Sequence, residues 1–311
     1  MIENIIFIYL KDGKKILEKN FIEEHIMSDN ECLPDIQCTA PALQTAIKQV
    51  GVENVEVPFT LESKNGGFHQ LTANVTMMTS LDKTTKGISM SRLLLTLKPY
   101  LELPLKSKLI REIIEKMLEN VGGTSAFMRF EFRLPRKIKS IKSDNIFPIY
   151  YKCKFEGQVY KDNSNEKFRF FQGVTVQYAS YCPCSAELCN VLDESGFPHN
   201  QRSFAHILTE IDTESHYVWL EDIIDAVENN INTLPYPIIK RVDEQEIARV
   251  AAENPMFVED AIRIISDSID NIPGITDWII KCIHEESIHT SEAIAVNWKG
   301  IIQGFDGRRY I

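Results

Sequence analysis

Residues Val52–Ser63 read VENVEVPFTLES; after KNGG (Lys64–Gly67) and Phe68, residues His69–Leu81 read HQLTANVTMMTSL. Both runs alternate apolar and polar residues and are rich in β-branched side chains. A period of two puts one face of an extended chain against a core and the other in water. The Asn-Gly pair between them is turn chemistry, so the stretch predicts an antiparallel hairpin.

Outward from the hairpin, LPDIQCTAPALQTAIKQVG predicts a helix near 41–50 closed by Gly51. Residues 1–33 show no clear core face and are expected to form a peripheral arm of strand and helix. On the other side, MSRLLLTLKPYL and LKSKLIREIIEKMLENVGG have helical spacing, and SAFMRFEFRLPRK and IFPIYYKCKFEGQVY alternate again. The first half therefore reads β-β-α-α-β-β. The second half repeats that order. KFRFFQGVTVQYAS and RSFAHILTEIDT are strands. VWLEDIIDAVENNINTL and DEQEIARVAAENPMFVEDAIRIISDSID are helical, with a break at Pro255, and TDWIIKCIHEE and EAIAVNWKG close as strands. The expectation is an α+β protein of two modules, each an antiparallel sheet with a helix pair on one face. The divisions are an arm over 1–33, a first module over 34–162 and a second over 163–311, the last carrying most candidate site residues.

The whole-chain properties are those of a soluble globular protein: 44% apolar and 25% charged residues in 311. A net charge of −10 argues against a broad nucleic-acid face but leaves room for a local basic pocket. The six-residue run IIFIYL lacks the flanks of a signal peptide, and no run approaches the length of a membrane span, so no membrane partner is expected. Seven cysteines, an odd number, without an export signal predict a reducing, cytoplasmic setting.

Five clusters carry chemistry. YCPCSAELCN (Tyr181–Asn190) falls between two predicted strands. Pro183 restrains the turn, and Ser185 is placed to cap the short helix SAELCNVL. A cysteine at a helix start tends toward thiolate, the form that binds metal or attacks. A metal site, a catalytic thiol and a packed turn all stay open on this spacing. FPHNQR brings His199 to the far end of the same loop, so Cys182 or Cys184 and His199 with a carboxylate would suit zinc or a similar ion. YPIIKRVDE puts Lys240, Arg241, Asp243 and Glu244 at a helix start, where Asp243 as N-cap is the simplest explanation. ENPMFVED carries Glu253, Glu259 and Asp260, which on a helix are ordinarily solvated. CIHEESIH gathers two histidines and two acids, and Glu286 and His289 could face one metal or one water.

Taken in order, GISMSRL, CPCS, HNQR, YPIIKRVDE, ENPMFVED and EESIH, with LPDIQ and VGVENVEVPF before them, resemble the type IB GTP cyclohydrolases over about residues 33–300. The resemblance implies the tunnelling fold, with two β-β-α-α-β-β modules per subunit, and a homotetramer with active sites at its interfaces. It implies hydrolysis of GTP at C8 to formate and 7,8-dihydroneopterin triphosphate, which leads to folate and to deazaguanine-modified tRNA. By motif position it implies a divalent metal (zinc, manganese or iron) on Cys182, His199 and Glu244. Cys184 is implied at the substrate near C8, Glu286 and His289 at the water and its protons, and Glu259 at the guanine edge. Candidate triphosphate partners are Arg92, Arg202, Lys240 and Arg241, since cationic forks suit phosphate oxygens. Differences from the pattern are Ser89 in place of histidine, Ser291-Glu292 in place of His-Asp, a longer Cys184–His199 loop and the extra Cys189. A same-fold enzyme making a cyclic phosphate product, or a non-catalytic zinc-stabilised oligomer, are the alternatives.

Overall fold

The computed structural model describes residues 9–11, 14–16, 36–162, 165–191, 197–302 and 304–306. Most of the expected arm over 1–33 lies outside them; within it, β1 (Tyr9–Lys11) and β2 (Lys14–Ile16) pair as an antiparallel ribbon.

The quoted hairpin is β3 (Ile47–Glu62) and β4 (Phe68–Leu81). Gly66 and Gly67 turn it with φ of 88° and 81°, a region that side chains with a Cβ avoid. Val57, Phe59, Leu61, Ala73, Val75 and Met77 are buried, every second residue along each strand, as the alternation requires. The helix expected near 41–50 is not there. Ile47 already pairs with Leu81, and Val50 with Thr79. Gly51 is a strand residue and not a helix terminus: a Cβ on it would stand 1.8 Å from the Met77 carbonyl oxygen, so glycine lets β3 lie against β4.

Helix α1 (Met90–Leu97) and α2 (Ser107–Val121) follow, then β5 (Ser125–Lys139), β6 (Ile146–Asp162) and β7 (Asn165–Tyr181). The second half continues with α3 (Pro183–Val191), β8 (Asn200–Ile211), α4 (Leu220–Glu228), α5 (Arg241–Glu253), α6 (Val258–Asp270), β9 (Ile275–His284) and β10 (Ala293–Trp298). Strands β3 to β10 form one antiparallel sheet in chain order. The expectation of two separate sheets is thereby corrected. Strands β6 and β7 pair from Lys152↔Thr175 to Asp162↔Asn165 and fuse the halves.

Helices α2 and α6 pack on the sheet. In α2, Ile110, Ile113, Ile114, Met117 and Leu118 are buried, and in α6, Val258, Ala261, Ile262, Ile265 and Ile269. Both sets follow the i, i+3, i+4 stripe that seats a helix on a sheet. Each such side chain contributes about 1.5–3 kcal/mol on burial. On the other face, Phe171, Leu208 and Ile279 pack under Phe305. The buried Asp277 carboxylate holds that tail by accepting the N–H groups of Gly300 (2.9 Å) and Phe305 (2.7 Å). Among the described residues no helix is long and apolar enough to cross a membrane.

Candidate functional site

Strand pairing brings three chain segments to one end of the sheet. Tyr181, the last residue of β7, pairs with Asn200, the first of β8, and Ser203 pairs with His284, the last of β9. The Cys182–His199 segment and the residues after His284 therefore meet at the same strand ends. The Cys182 N–H donates to the His199 carbonyl at 3.2 Å, closing the loop at its base. Residues 192–196, within that loop, are outside the described residues.

Helix α3 starts at Pro183, which suits a first helical position because no N–H is needed there. Cys182 precedes the helix and is half-buried, while Cys184, in its first turn, is exposed. Ser185 lies inside the first turn and is not the cap expected from the sequence; its hydroxyl accepts the His199 N–H at 3.4 Å. Cys189 is half-buried on α3.

From His199 a chain of polar contacts runs to Glu286. The ring Nδ1 stands 3.1 Å from Gln201 Oε1, and Gln201 Nε2 donates to Glu286 Oε1 at 3.1 Å. The second Glu286 oxygen is 3.8 Å from the same Nδ1. Gln201 was not singled out from the sequence. Its signal was available: it stands two positions after His199 at a strand start, so both side chains point to one side.

Beneath this end the sheet turns apolar. Tyr178 and His284 are buried, with the Tyr178 hydroxyl 3.0 Å from His284 Nε2. Burial pushes the His284 ring down to about 4, against a smaller opposing pull from Glu259, so the imidazole is neutral at neutral pH. Burial also pushes the Cys282 thiol up to about 12.

The other candidates are not gathered here. Glu244 is exposed in the first turn of α5 and Glu259 in the first turn of α6. His289, Arg92, Arg202, Lys240 and Arg241 are exposed as well. Among the described residues no hydrogen bond or ion pair joins Arg92, Lys240 or Arg241 to Cys182, His199 or Glu286. Asp243 is not the N-cap. It sits one turn in and is buried; its carboxylate accepts the Lys240 N–H (2.7 Å), the Lys142 and Ser143 N–H groups (2.8 and 2.7 Å) and the Ser143 hydroxyl (2.6 Å). Burial alone would raise this carboxyl; those hydrogen bonds more than offset it and hold the group well below the usual carboxylate range. Asp243 thus fixes the start of α5 to the β5–β6 turn and orients the segment that carries Lys240, Arg241 and Glu244.

The donor chemistry suits a borderline divalent ion in part. A thiol and an imidazole flank one loop, and the imidazole's second nitrogen is already held, as is usual for metal-ligating histidines. A third donor is not in place within the single chain: among the described residues no three His, Cys, Asp or Glu side chains stand close enough to hold one ion.

Comparison with known proteins shows what the chain as a whole resembles. The family model described as type I GTP cyclohydrolase folE2 matches residues 33–295. The GTP cyclohydrolase FolE2 of Roseobacter denitrificans is 31% identical over 278 residues, 87% of this chain and 75% of that protein. That of Geobacter metallireducens is 32% identical over 263 residues, 85% of this chain and 95% of that protein. Among solved structures, a uricase from Bacillus fastidious aligns with a TM-score of 0.51 at 10% identity, covering 80% of this chain and 92% of that one. That likeness is one of fold alone.

Proposed function

The chain belongs to the type I GTP cyclohydrolase folE2 family, and on that premise we propose that it hydrolyses GTP at C8, releases formate and closes a pterin ring to give 7,8-dihydroneopterin triphosphate. The observation that carries this reading is the family match over residues 33–295, which takes in every candidate site residue.

C8 of guanine is a weak electrophile, so the water that attacks it must be activated. A divalent cation, zinc, manganese or iron, would be held by Cys182, His199 and Glu244, and when bound supplies a Lewis acid that brings the acidity of water close to neutral pH. Cys184, exposed on the first turn of α3, faces the substrate beside that position. Glu286, held by the Gln201 amide, orients water and takes its proton, and His289 passes protons to the opening ring. Glu259 accepts the guanine N1–H and 2-amino hydrogens, a pair that adenine does not offer. Arg92, Arg202, Lys240 and Arg241 hold the triphosphate.

The exposure of Glu244, Glu259, His289, Arg92, Lys240 and Arg241 in a single chain supports a homotetramer whose sites close at subunit interfaces. Each half of the chain, 34–162 and 163–311, acts as one tunnelling-fold module, with 1–33 as an arm. The β-β-α-α-β-β order that remains in each half once α3 and α5 are set aside supports that division. The protein works in the cytoplasm, and its product feeds folate or deazaguanine synthesis. It needs neither nucleic acid nor membrane as a partner.

The test is direct. Purified protein given GTP with Zn²⁺, Mn²⁺ or Fe²⁺ releases formate and a product that fluoresces after oxidation. Phosphatase treatment before chromatography distinguishes the linear triphosphate from a cyclic phosphate. Absence of turnover with all three metals would refute the activity.

A further inference from the structure

Gln201 lies between two groups that the proposed mechanism uses, and its amide has no freedom to turn. Its residue is 6% exposed, so water does not offer it other partners. One end meets Glu286 Oε1 at 3.1 Å and the other meets His199 Nδ1 at 3.1 Å. A carboxylate can only accept hydrogen bonds, so the amide NH₂ must face Glu286. The amide oxygen then faces His199, and an oxygen can only accept. Nδ1 must therefore carry a proton, and in the neutral ring Nε2 keeps its lone pair. The backbone holds the ring's position independently: the His199 N–H reaches the Ser185 hydroxyl and the His199 carbonyl takes the Cys182 N–H.

We propose that Gln201 is a positioning residue that locks His199 in the Nδ1–H tautomer. Nε2 is thereby the donor presented to a divalent cation, and the same amide aims the Glu286 carboxylate. The assignment rests on the reading of His199 as a metal ligand given above. It adds that one side chain contacts both the ligand and the proton-handling carboxylate, whose second oxygen stands 3.8 Å from the same Nδ1.

The experiment reads the apo protein first. With ¹⁵N-labelled histidine, long-range ¹H–¹⁵N correlation, assigned by comparison with His199→Ala, gives the tautomer of His199 directly. The expected pattern is Nδ1–H in the wild type and a mixture of tautomers in Gln201→Leu. Zinc affinity, measured against a competing chelator, is expected to fall about 10- to 100-fold in Gln201→Leu. Gln201→Glu keeps an acceptor for His199 but turns a like charge on Glu286; it retains zinc affinity within about threefold while kcat for GTP falls with little change in KM. An Nε2–H wild-type ring overturns the proposal without any variant, as does a wild type that binds no zinc. A Gln201→Leu protein that binds zinc within about twofold of wild type also overturns it. Neither the tautomer nor the zinc affinity depends on GTP. A wild type that shows both and does not turn over GTP would count against the activity and not against Gln201.

Discussion

The second half of the chain holds two cysteine–histidine pairs with opposite fates. Cys182 and His199 stand at the strand ends, joined through the backbone, with the imidazole linked through Gln201 to a carboxylate. Cys282 and His284 lie two positions apart at the end of β9, both buried, with a tyrosine hydroxyl as the histidine's partner. Burial pushes the inner thiol up to about 12 and the inner imidazole down to about 4, so both stay neutral and unreactive near neutral pH. Residue type is the same in both pairs. What separates them is contact with water and the nature of the second hydrogen-bond partner.

The largest effect that could break this contrast is on activity. Cys184→Ala should lower GTP turnover by about 100-fold or more, with circular dichroism and metal content unchanged. Cys282→Ala should leave turnover within about threefold of wild type, because its thiol is buried beneath the strand ends. A reversal of the two results would mean that the buried pair is the working one.

Next in size is the pH dependence of stability that His284 imposes. Its folded pKa of about 4 lies below the ordinary histidine value of 6.5. Between those values the unfolded chain takes up a proton that the folded chain does not. Its contribution is therefore complete above about pH 6.5 and is lost as pH falls toward 4, by on the order of 3 kcal/mol. Urea unfolding of the wild type and His284→Asn across that window should give a steeper decline in the wild type; parallel curves would remove His284 as the cause.

Smaller still is the packing term. Cys282→Ala should cost about 1–2 kcal/mol of unfolding free energy, as deletion of one buried heavy atom does. Cys184→Ala, on an exposed turn, should cost under about 0.5 kcal/mol. Equal losses would show that the outer loop is as tightly packed as the core.

The hairpin at 47–81 was legible because alternation and Asn-Gly report directly on which face is wet. The stretch 41–50 was misread because Gly51 looks like a helix terminus in isolation. The carbonyl of Met77, which excludes a Cβ at that position, comes from a strand 26 residues downstream. The strands from β3 to β10 were legible in order, but their joining into one sheet through β6 and β7 was not, since hydrophobic pattern does not say which strands become neighbours. At the site, His199 and Glu286 could be named from motif order. Gln201 between them was missed: the period of two sets it beside His199, but only strand register brings the Glu286 carboxylate to its amide. Asp243 was placed one turn too early for the same reason: its partners at Lys142 and Ser143 are 100 residues away in sequence. Glu244, Glu259 and Arg92 were named by motif, yet a single chain leaves each of them exposed and apart.

The strict chain order of the sheet has a consequence for how the molecule is made. From β3 to β10, every strand bonds only to the one before it and the one after it. No strand has to wait for a distant segment to be inserted between earlier ones. Synthesis from the N-terminus can lay the sheet down one strand at a time, with each new edge serving as template for the next. Two closures are long, β4 to β5 across α1 and α2 and β8 to β9 across α4, α5 and α6; the others are shorter, so much of the loop entropy that slows most sheets is lost in small instalments. The strand ends that bear Cys182, His199 and Glu286 come together only after β9 has docked, when β3 to β9 are already in place and β10 remains to be added.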